Sequence, residues 1–474
     1  MMTHKKMIVA LAAVALLVAF AVPAAATQLK FNGDMNHRFM LGTNHYDWFT
    51  AESNGTIDDG DVYDNFAEIK YRFWFEAASD DGAYKGVFAT EIGGLTFGQQ
   101  GSAGNRGMGY TGDQLAFEFR WGYFDFQLPF AEQKSRVRIG LQPLNVNYYK
   151  WNETVGAVNL YGTAGSIDYQ LAWARGYEVQ NKNQDADDFD NDIDSLLGRI
   201  NLKPGEGLNV GLFALYEWNN IDDVKVGGAY EITPQNYLVK SLPKNIDIDI
   251  TTLGIDGGWK SGDFFAKWDL MYQTGGLDNV EYDGLPIDDY DLSAYFIHAD
   301  LGMKMGKSTL TYTFWYASGD DDCTDDDFDA FISTDVDMFD SIIIMEGGYG
   351  DDDYFTERPY IGVSGFIMNK LAYDYQYSEK LKLGAAALYM MTAEDIEYVD
   401  DLGRNQKEDT LGLEIDVYFK YKLFKNVEWA VNAGYLFADD AMDAFEEDSR
   451  GGVFKDGSSD EDIWRADMRI RYKF

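Results

Sequence analysis

The sequence offers little to covalent or redox chemistry. Its 474 residues include one cysteine and four histidines. A single thiol forms no internal disulfide and cannot complete the C-x-x-C-H of an attached haem. Cys323 also sits in an acidic stretch, where neighbouring carboxylates oppose the thiolate that a nucleophile requires. Past the N-terminal segment the histidines are His37, His45 and His298, and none has a His or Cys neighbour at metal-ligand spacing. Such a chain is expected to be no enzyme and to use no cofactor. Positive charge is scarce too: 39 Lys and Arg face 80 Asp and Glu, a net charge of −41 that repels nucleic acid. Proline falls to 8 residues while 16% of the chain is aromatic, which excludes a disordered polymer.

Long apolar runs are also missing, with one exception. Met1-Met2-Thr3-His4-Lys5-Lys6 is basic, residues 7–22 are apolar, and Pro23-Ala24-Ala25-Ala26 follows. A basic start, an apolar middle and an A-x-A exit make residues 1–26 a secretory signal peptide rather than a retained anchor. Residues 27–474 are then one domain outside the cytoplasm. Nothing after Ala26 approaches the ~20 apolar residues of a spanning helix. Any later crossing of a membrane must use strands.

What is abundant is alternation. In residues 463–474, Trp464, Ala466, Met468, Ile470, Tyr472 and Phe474 lie on one face, and Arg465, Asp467, Arg469, Arg471 and Lys473 on the other. Successive strand side chains point to opposite faces, so this is a β-strand with an oily and an ionic side. The same code recurs. Ile69, Tyr71, Phe73 and Phe75 alternate with Glu68, Lys70, Arg72 and Glu76. Phe117, Phe119, Trp121 and Tyr123 alternate with Glu118 and Arg120, and Val137 and Ile139 with Arg136 and Arg138. Leu411, Leu413, Ile415 and Val417 face away from Glu414 and Asp416. This is the antiparallel pattern, not the continuous run of a buried parallel sheet.

Connections take turns between short and long. Ser79-Asp80-Asp81-Gly82, Ser261-Gly262-Asp263, Gly306-Lys307 and Lys425-Asn426 are tight turns rich in Gly, Asp and Asn. Residues 42–61, 96–112, 179–192, 219–245, 319–358, 392–409 and 439–461 are long and hold most of the acid. No amphipathic helix is available to cover so many oily faces, and an open sheet would expose two edges. Closing the sheet removes the edges and satisfies every backbone group, the only way strands cross hydrocarbon. The expected fold is therefore all-β: a transmembrane antiparallel up-and-down barrel of about 18 strands, with 16 as the runner-up. Trp48, Trp151, Trp218, Tyr272, Trp429 and Trp464 suit its interfacial girdles.

A barrel of this size leaves an aqueous channel. Lys70, Arg72, Glu118, Arg120, Arg136, Arg138, Arg465, Arg469 and Arg471 are the candidate pore-lining residues. They would set selectivity or brace the wall through cross-strand pairs. In the longest loop, Ser341-Ile342-Ile343-Ile344-Met345 is an apolar run costly to leave in water. Ile342, Ile343, Ile344 and Met345 are expected to fold over or into the mouth and narrow it, the alternatives being packing on a neighbouring protomer or a strand extension above the membrane. Residues 145–152, with Tyr148, Tyr149 and Trp151, are a second candidate constriction. Asp320, Asp321 and Asp322 could gather calcium, but they lack the D-x-D-x-D-G spacing of a dedicated loop.

Taken together, residues 27–474 resemble a Gram-negative outer-membrane porin. The strand ending in Phe474 looks like the sorting signal read by the barrel-assembly machinery. Phe314-Trp315-Tyr316-Ala317-Ser318-Gly319-Asp320-Asp321-Asp322, followed by Phe328 and Phe339, looks like a segment of the alginate-export-like group of porins. The resemblance implies an outer-membrane location among lipid and lipopolysaccharide, with passive diffusion of small hydrophilic solutes or ions. Porins of this kind are often homotrimers, whereas the alginate-export-like group contains monomers. Two alternatives are a conduit sheathing an electron-transfer or polysaccharide partner, and a barrel-rim hydrolase using His45 and Asp47. N-terminal sequencing of the exported protein should return Thr27 as its first residue; retention of residues 1–26 would make that segment an anchor.

Overall fold

Each ladder of backbone hydrogen bonds hands on to the next strand in sequence, and the last returns to the first. The computed structural model describes residues 27–43, 63–98, 117–129, 135–177, 193–219, 247–278, 281–282, 285–286, 290–321, 325–334, 336, 338–345, 360–361, 363–399, 404–445 and 462–474. Residues 1–26, Trp48, His45 and Asp47 lie outside them. Eighteen long strands are found among the described residues. They are β1 (Thr27–Thr43), β2 (Tyr63–Ser79), β3 (Tyr84–Thr96), β4 (Glu118–Gln127), β5 (Arg136–Pro143) and β6 (Thr154–Ala164). Next come β7 (Ile167–Tyr177), β8 (Ile193–Gly205), β9 (Leu208–Asn219), β10 (Asp247–Ser261), β11 (Phe264–Asp278) and β12 (Tyr290–Met305). The circle ends with β13 (Ser308–Ala317), β14 (Phe366–Gln376), β15 (Leu381–Val399), β16 (Asn405–Phe424), β17 (Val427–Ala438) and β18 (Ile463–Lys473).

All sequential neighbours pair antiparallel, and β1 pairs with β18 from Asp34 opposite Lys473 to Thr43 opposite Trp464. The barrel is closed. At the seam Gly33 and Phe474 exchange both backbone hydrogen bonds, at 2.9 and 3.0 Å. The Phe474 ring lies over Gly33, where a Cβ would collide with it, and against Phe31 and Tyr472. Two-residue turns at 165–166, 206–207, 262–263, 306–307 and 425–426 join strands at one rim. Gly262 takes a left-handed φ of 60°, which its lack of a Cβ permits. In the β2–β3 turn, the Ala83 N–H and the Ser79 hydroxyl hold the Asp81 carboxyl below the usual carboxylate range.

The two faces divide as the alternation predicts along much of the wall. On β16, Leu413, Ile415 and Val417 are exposed, while Glu414 and Asp416 between them are fully buried inside. Leu411, expected outside, is fully buried too, because the ladder slips from Met390 opposite Gly412 to Met391 opposite Thr410 and leaves it in a bulge. On β18, Arg465, Asp467 and Arg469 point inward and Ile470 and Tyr472 outward. Three further departures have local causes. A register slip opposite Ala89 and Thr90 places a bulge in β4. One extra residue reverses the face of those beyond it. Trp121 and Tyr123, expected outside, therefore turn inward. Trp121 Nε1 donates to Thr154 Oγ1 at 3.1 Å and Arg138 stacks on Tyr123 at 4.7 Å, while Phe124 takes the outward place. Second, Trp151 is not a girdle residue: it lies inside the barrel, 4% exposed. Third, residues 392–409 are not one long loop. β15 and β16 run on to Val399 and from Asn405, so the connection shrinks to residues 400–404.

Val417 is half-exposed, at 51%, in the middle of β16. Val417→Arg should destabilise folding into lipid vesicles by about 2–4 kcal/mol, as a cation does at the bilayer midplane. A cost near zero would place this face against protein or water.

Candidate functional site: the lumen and its in-folded segments

Nearly every predicted lumen cation is held by a carboxylate on a neighbouring strand. Lys70, Arg72 and Arg120 converge on Glu91, at 3.7, 2.5 and 2.5 Å. Arg136 and Arg138 converge on Asp125, at 2.6 and 3.0 Å, and the Tyr161 hydroxyl donates to the same carboxylate. Arg471 bonds Asp34 through two nitrogens, at 2.8 and 2.5 Å, and Arg469 reaches Glu428 at 3.3 Å. Glu118 is exposed at the loop-side end of β4. The wall charges brace the cylinder as well as line it. Sequence pattern had no means of supplying the partners Glu91, Asp125 and Asp34, because each pairing depends on cross-strand register.

Arg465 differs. Its Nη1 donates to the Ile342 carbonyl at 3.1 Å, inside the longest connection. Ile342, Ile343, Ile344 and Met345 are all buried, and the reason is Glu414. This carboxylate accepts the backbone N–H of Ile342 at 2.8 Å, of Ile343 at 2.9 Å and of Ile344 at 3.2 Å. Three consecutive amides aimed at one carboxylate reproduce the capping of a helix start. Ser341 Oγ accepts the Met345 N–H at 2.8 Å, and Lys370 Nζ donates to the Asp340 carbonyl at 2.5 Å. Burial pushes the Asp340 carboxyl above its usual range, with Lys370 opposing the rise.

A second segment comes in from the opposite wall. Residues 144–153, between β5 and β6, fold into the lumen and are stitched to the first segment. Lys150 is fully buried: Nζ contacts Glu217 at 2.6 Å and the Ile332 carbonyl at 3.1 Å. Thr334 donates its N–H to the Lys150 carbonyl and its hydroxyl to Glu217. The Gln273 side-chain amide bonds both the N–H and the C=O of Ile332, each at 2.8 Å, as a neighbouring strand would. Tyr149 packs on Phe296, His298 and Trp315, at centroid distances of 4.9, 4.7 and 4.9 Å. His298 is itself clamped between Asp269, at 2.8 Å, and Asp300, at 3.3 Å. Together with Phe328, Phe331 and Met338, these groups form one continuous apolar cluster inside the barrel. The inner faces of β12 to β14, with Phe296, Trp315, Phe366 and Met368, are apolar to receive it.

The Ala317-Ser318-Gly319-Asp320 stretch turns the chain inward. The Ser318 hydroxyl donates to the Asp329 carbonyl at 2.6 Å and accepts the Tyr295 N–H at 2.8 Å. Asp327–Phe328 pairs parallel with Asp291–Leu292 of β12. Asp320 accepts the Asp329 N–H at 3.3 Å, Asp321 is exposed, and Asp322 lies outside the described residues.

Two solved structures superpose over almost the whole chain. The outer membrane protein OpdK of Pseudomonas aeruginosa covers 94% of this chain with 98% of its own, at 9% identity and a TM-score of 0.50. OccAB1 of Acinetobacter baumannii covers 94% with 97% of its own, at 13% identity and a TM-score of 0.50. The chain shares their fold. No protein-family model and no curated protein matches the sequence, so the likeness extends to the fold and stops there.

Removing the Glu414 carboxylate strands three buried amides, each worth about 1–3 kcal/mol. Glu414→Ala should speed hydrogen exchange of the Ile342, Ile343 and Ile344 amides about tenfold or more. Unchanged protection would show that apolar packing alone holds the segment.

Proposed function

We propose that this barrel is an outer-membrane channel for passive diffusion of small hydrophilic solutes or ions, narrowed by two segments anchored in its lumen. The observation that carries the reading is the contrast between faces: exposed Leu, Val and Phe outside, ion-paired Arg, Asp and Glu inside, in a closed cylinder. The Glu414 anchor on Ile342–Ile344 supports residues 342–345 as a constriction, and the stitched residues 144–153 as its counterpart. Arg72, Arg120, Arg136 and Arg138, braced by Glu91 and Asp125, would line the remaining path. The crossing segments occupy space that a sheath around a protein or polymer partner needs, which favours the channel over the conduit. Export through residues 1–26, insertion guided by Phe474, and a Gram-negative outer membrane belong to the same proposal. The resemblance of residues 314–322 to the alginate-export-like group finds no support in the fold comparison. The kinship is left at the outer-membrane porin.

In planar bilayers the purified barrel should give current steps of uniform size. Replacing residues 340–350 by a short Gly-Ser link should enlarge each step. No steps would defeat the channel reading, and steps of unchanged size would move the constriction elsewhere.

A further inference from the structure

Between the in-folded residues 144–153 and the wall made by β4 and β8 lies an open cavity of about 610 Å³, within the range of small-molecule sites. Trp121, Tyr148 and Phe339 line it, each only partly buried. Their positions are fixed. Trp121 is held by its bond to Thr154 and by the Arg120 guanidinium 5.7 Å from its ring. The Tyr148 hydroxyl accepts the Phe339 N–H at 3.1 Å, and the two rings meet edge to face at 5.7 Å. Asn145, exposed, and Asn201 bring amides to the same space.

Two arginines border the cavity, yet neither brings uncompensated charge. Arg120 is bound to Glu91. Arg199 makes two bonds to Asp256, at 2.7 and 2.6 Å, and a third to the Val146 carbonyl at 2.8 Å. Glu91 and Asp256 are engaged by the same contacts, so the one carboxylate left facing the cavity among the described residues is Glu153, whose Oε2 accepts the Thr154 N–H at 3.0 Å and whose charge disfavours an anion. What remains beside Glu153 is aromatic surface and the amides of Asn145 and Asn201.

We propose that this cavity is a binding subsite for an uncharged polyhydroxylated solute, a saccharide ring. A pyranose presents apolar C–H faces that stack on aromatic rings and an edge of hydroxyls that both donate and accept. Trp121, Tyr148 and Phe339 meet the faces; Asn145, Asn201 and the Glu153 carboxylate meet the edge. Rings already locked in place lose little freedom when the solute arrives. The assignment rests on the channel reading and names the class of solute.

The test is single-channel recording on the whole barrel, with maltotriose as the neutral probe and citrate as the anionic one. Maltotriose should interrupt the ion current in resolved events whose frequency rises with concentration. Citrate at equal concentration should give none as long. Trp121→Leu should shorten the maltotriose events about tenfold, and Asn145→Ala, in an exposed position that folding does not need, should shorten them less. Phe124→Leu, on the lipid face, should leave them as they are. A steady current with no maltotriose events overturns the subsite. Longer citrate events overturn its class, and equal dwell times in wild type and both lumen variants overturn its location. Absence of any ion current defeats the channel reading instead.

Discussion

Hydrocarbon supplies no partner for a backbone N–H or C=O, and that single constraint organises this molecule. A sheet that must leave no group unpaired has to close, and here it closes through the β1–β18 ladder. Closure separates the side chains into two populations with different solvents. Those facing out must be apolar, whatever the overall composition. Those facing in are released from that demand, and charge accumulates there. Inside, carboxylates and guanidiniums sit close in a partly desolvated space, where an unpaired ion is costly. Glu91 beneath three cations and Asp125 beneath two follow from that cost.

The in-folded segments answer the opposite problem. A long acidic connection carrying four consecutive large apolar residues has nowhere favourable to leave them on the outer surface. The lumen offers the apolar inner faces of β12 to β14, and the chain fills it with a core of ordinary character. Cores hold by packing, but position comes from polar contacts. Glu414, Lys150 and Gln273 each bind backbone groups of the in-folded chain, and Lys150 pairs with Glu217 besides, so they fix where the segments run. The barrel thus has a rigid wall and a separately anchored interior, and the interior decides what space is left for a solute.

Much of the wall was legible because its period of two is a direct imprint of strand geometry. The strand number, the short turns, the outward set of β18 and of β16 from Leu413 to Val417, and the burial of Ile342 to Met345 all follow from local pattern. Trp121 and Tyr123 depart from the alternation because a bulge is set by the partner strand's register, which β4 alone does not display. Trp151 was misassigned because an aromatic near a strand end reads alike whether its loop rises above the membrane or folds within. The inner faces of β12 to β14 escaped the code for a related reason. Where both faces of a strand are apolar, alternation vanishes, and only the neighbouring loop explains why. Glu414 looked like any inward carboxylate. Its contact with a segment some 70 positions earlier leaves no local trace.

The seam between β1 and β18 has one more consequence. Seventeen ladders join strands adjacent in sequence and could form as each hairpin appears. The eighteenth joins His37 to Ile470, 433 positions apart. The seam is thus the most distant closure among those that build the wall. Until Phe474 docks over Gly33, β1 presents an open edge ready to pair with any passing strand. Closure of the ring is therefore one contact between the two most distant strands, and the aromatic lid on a glycine covers it.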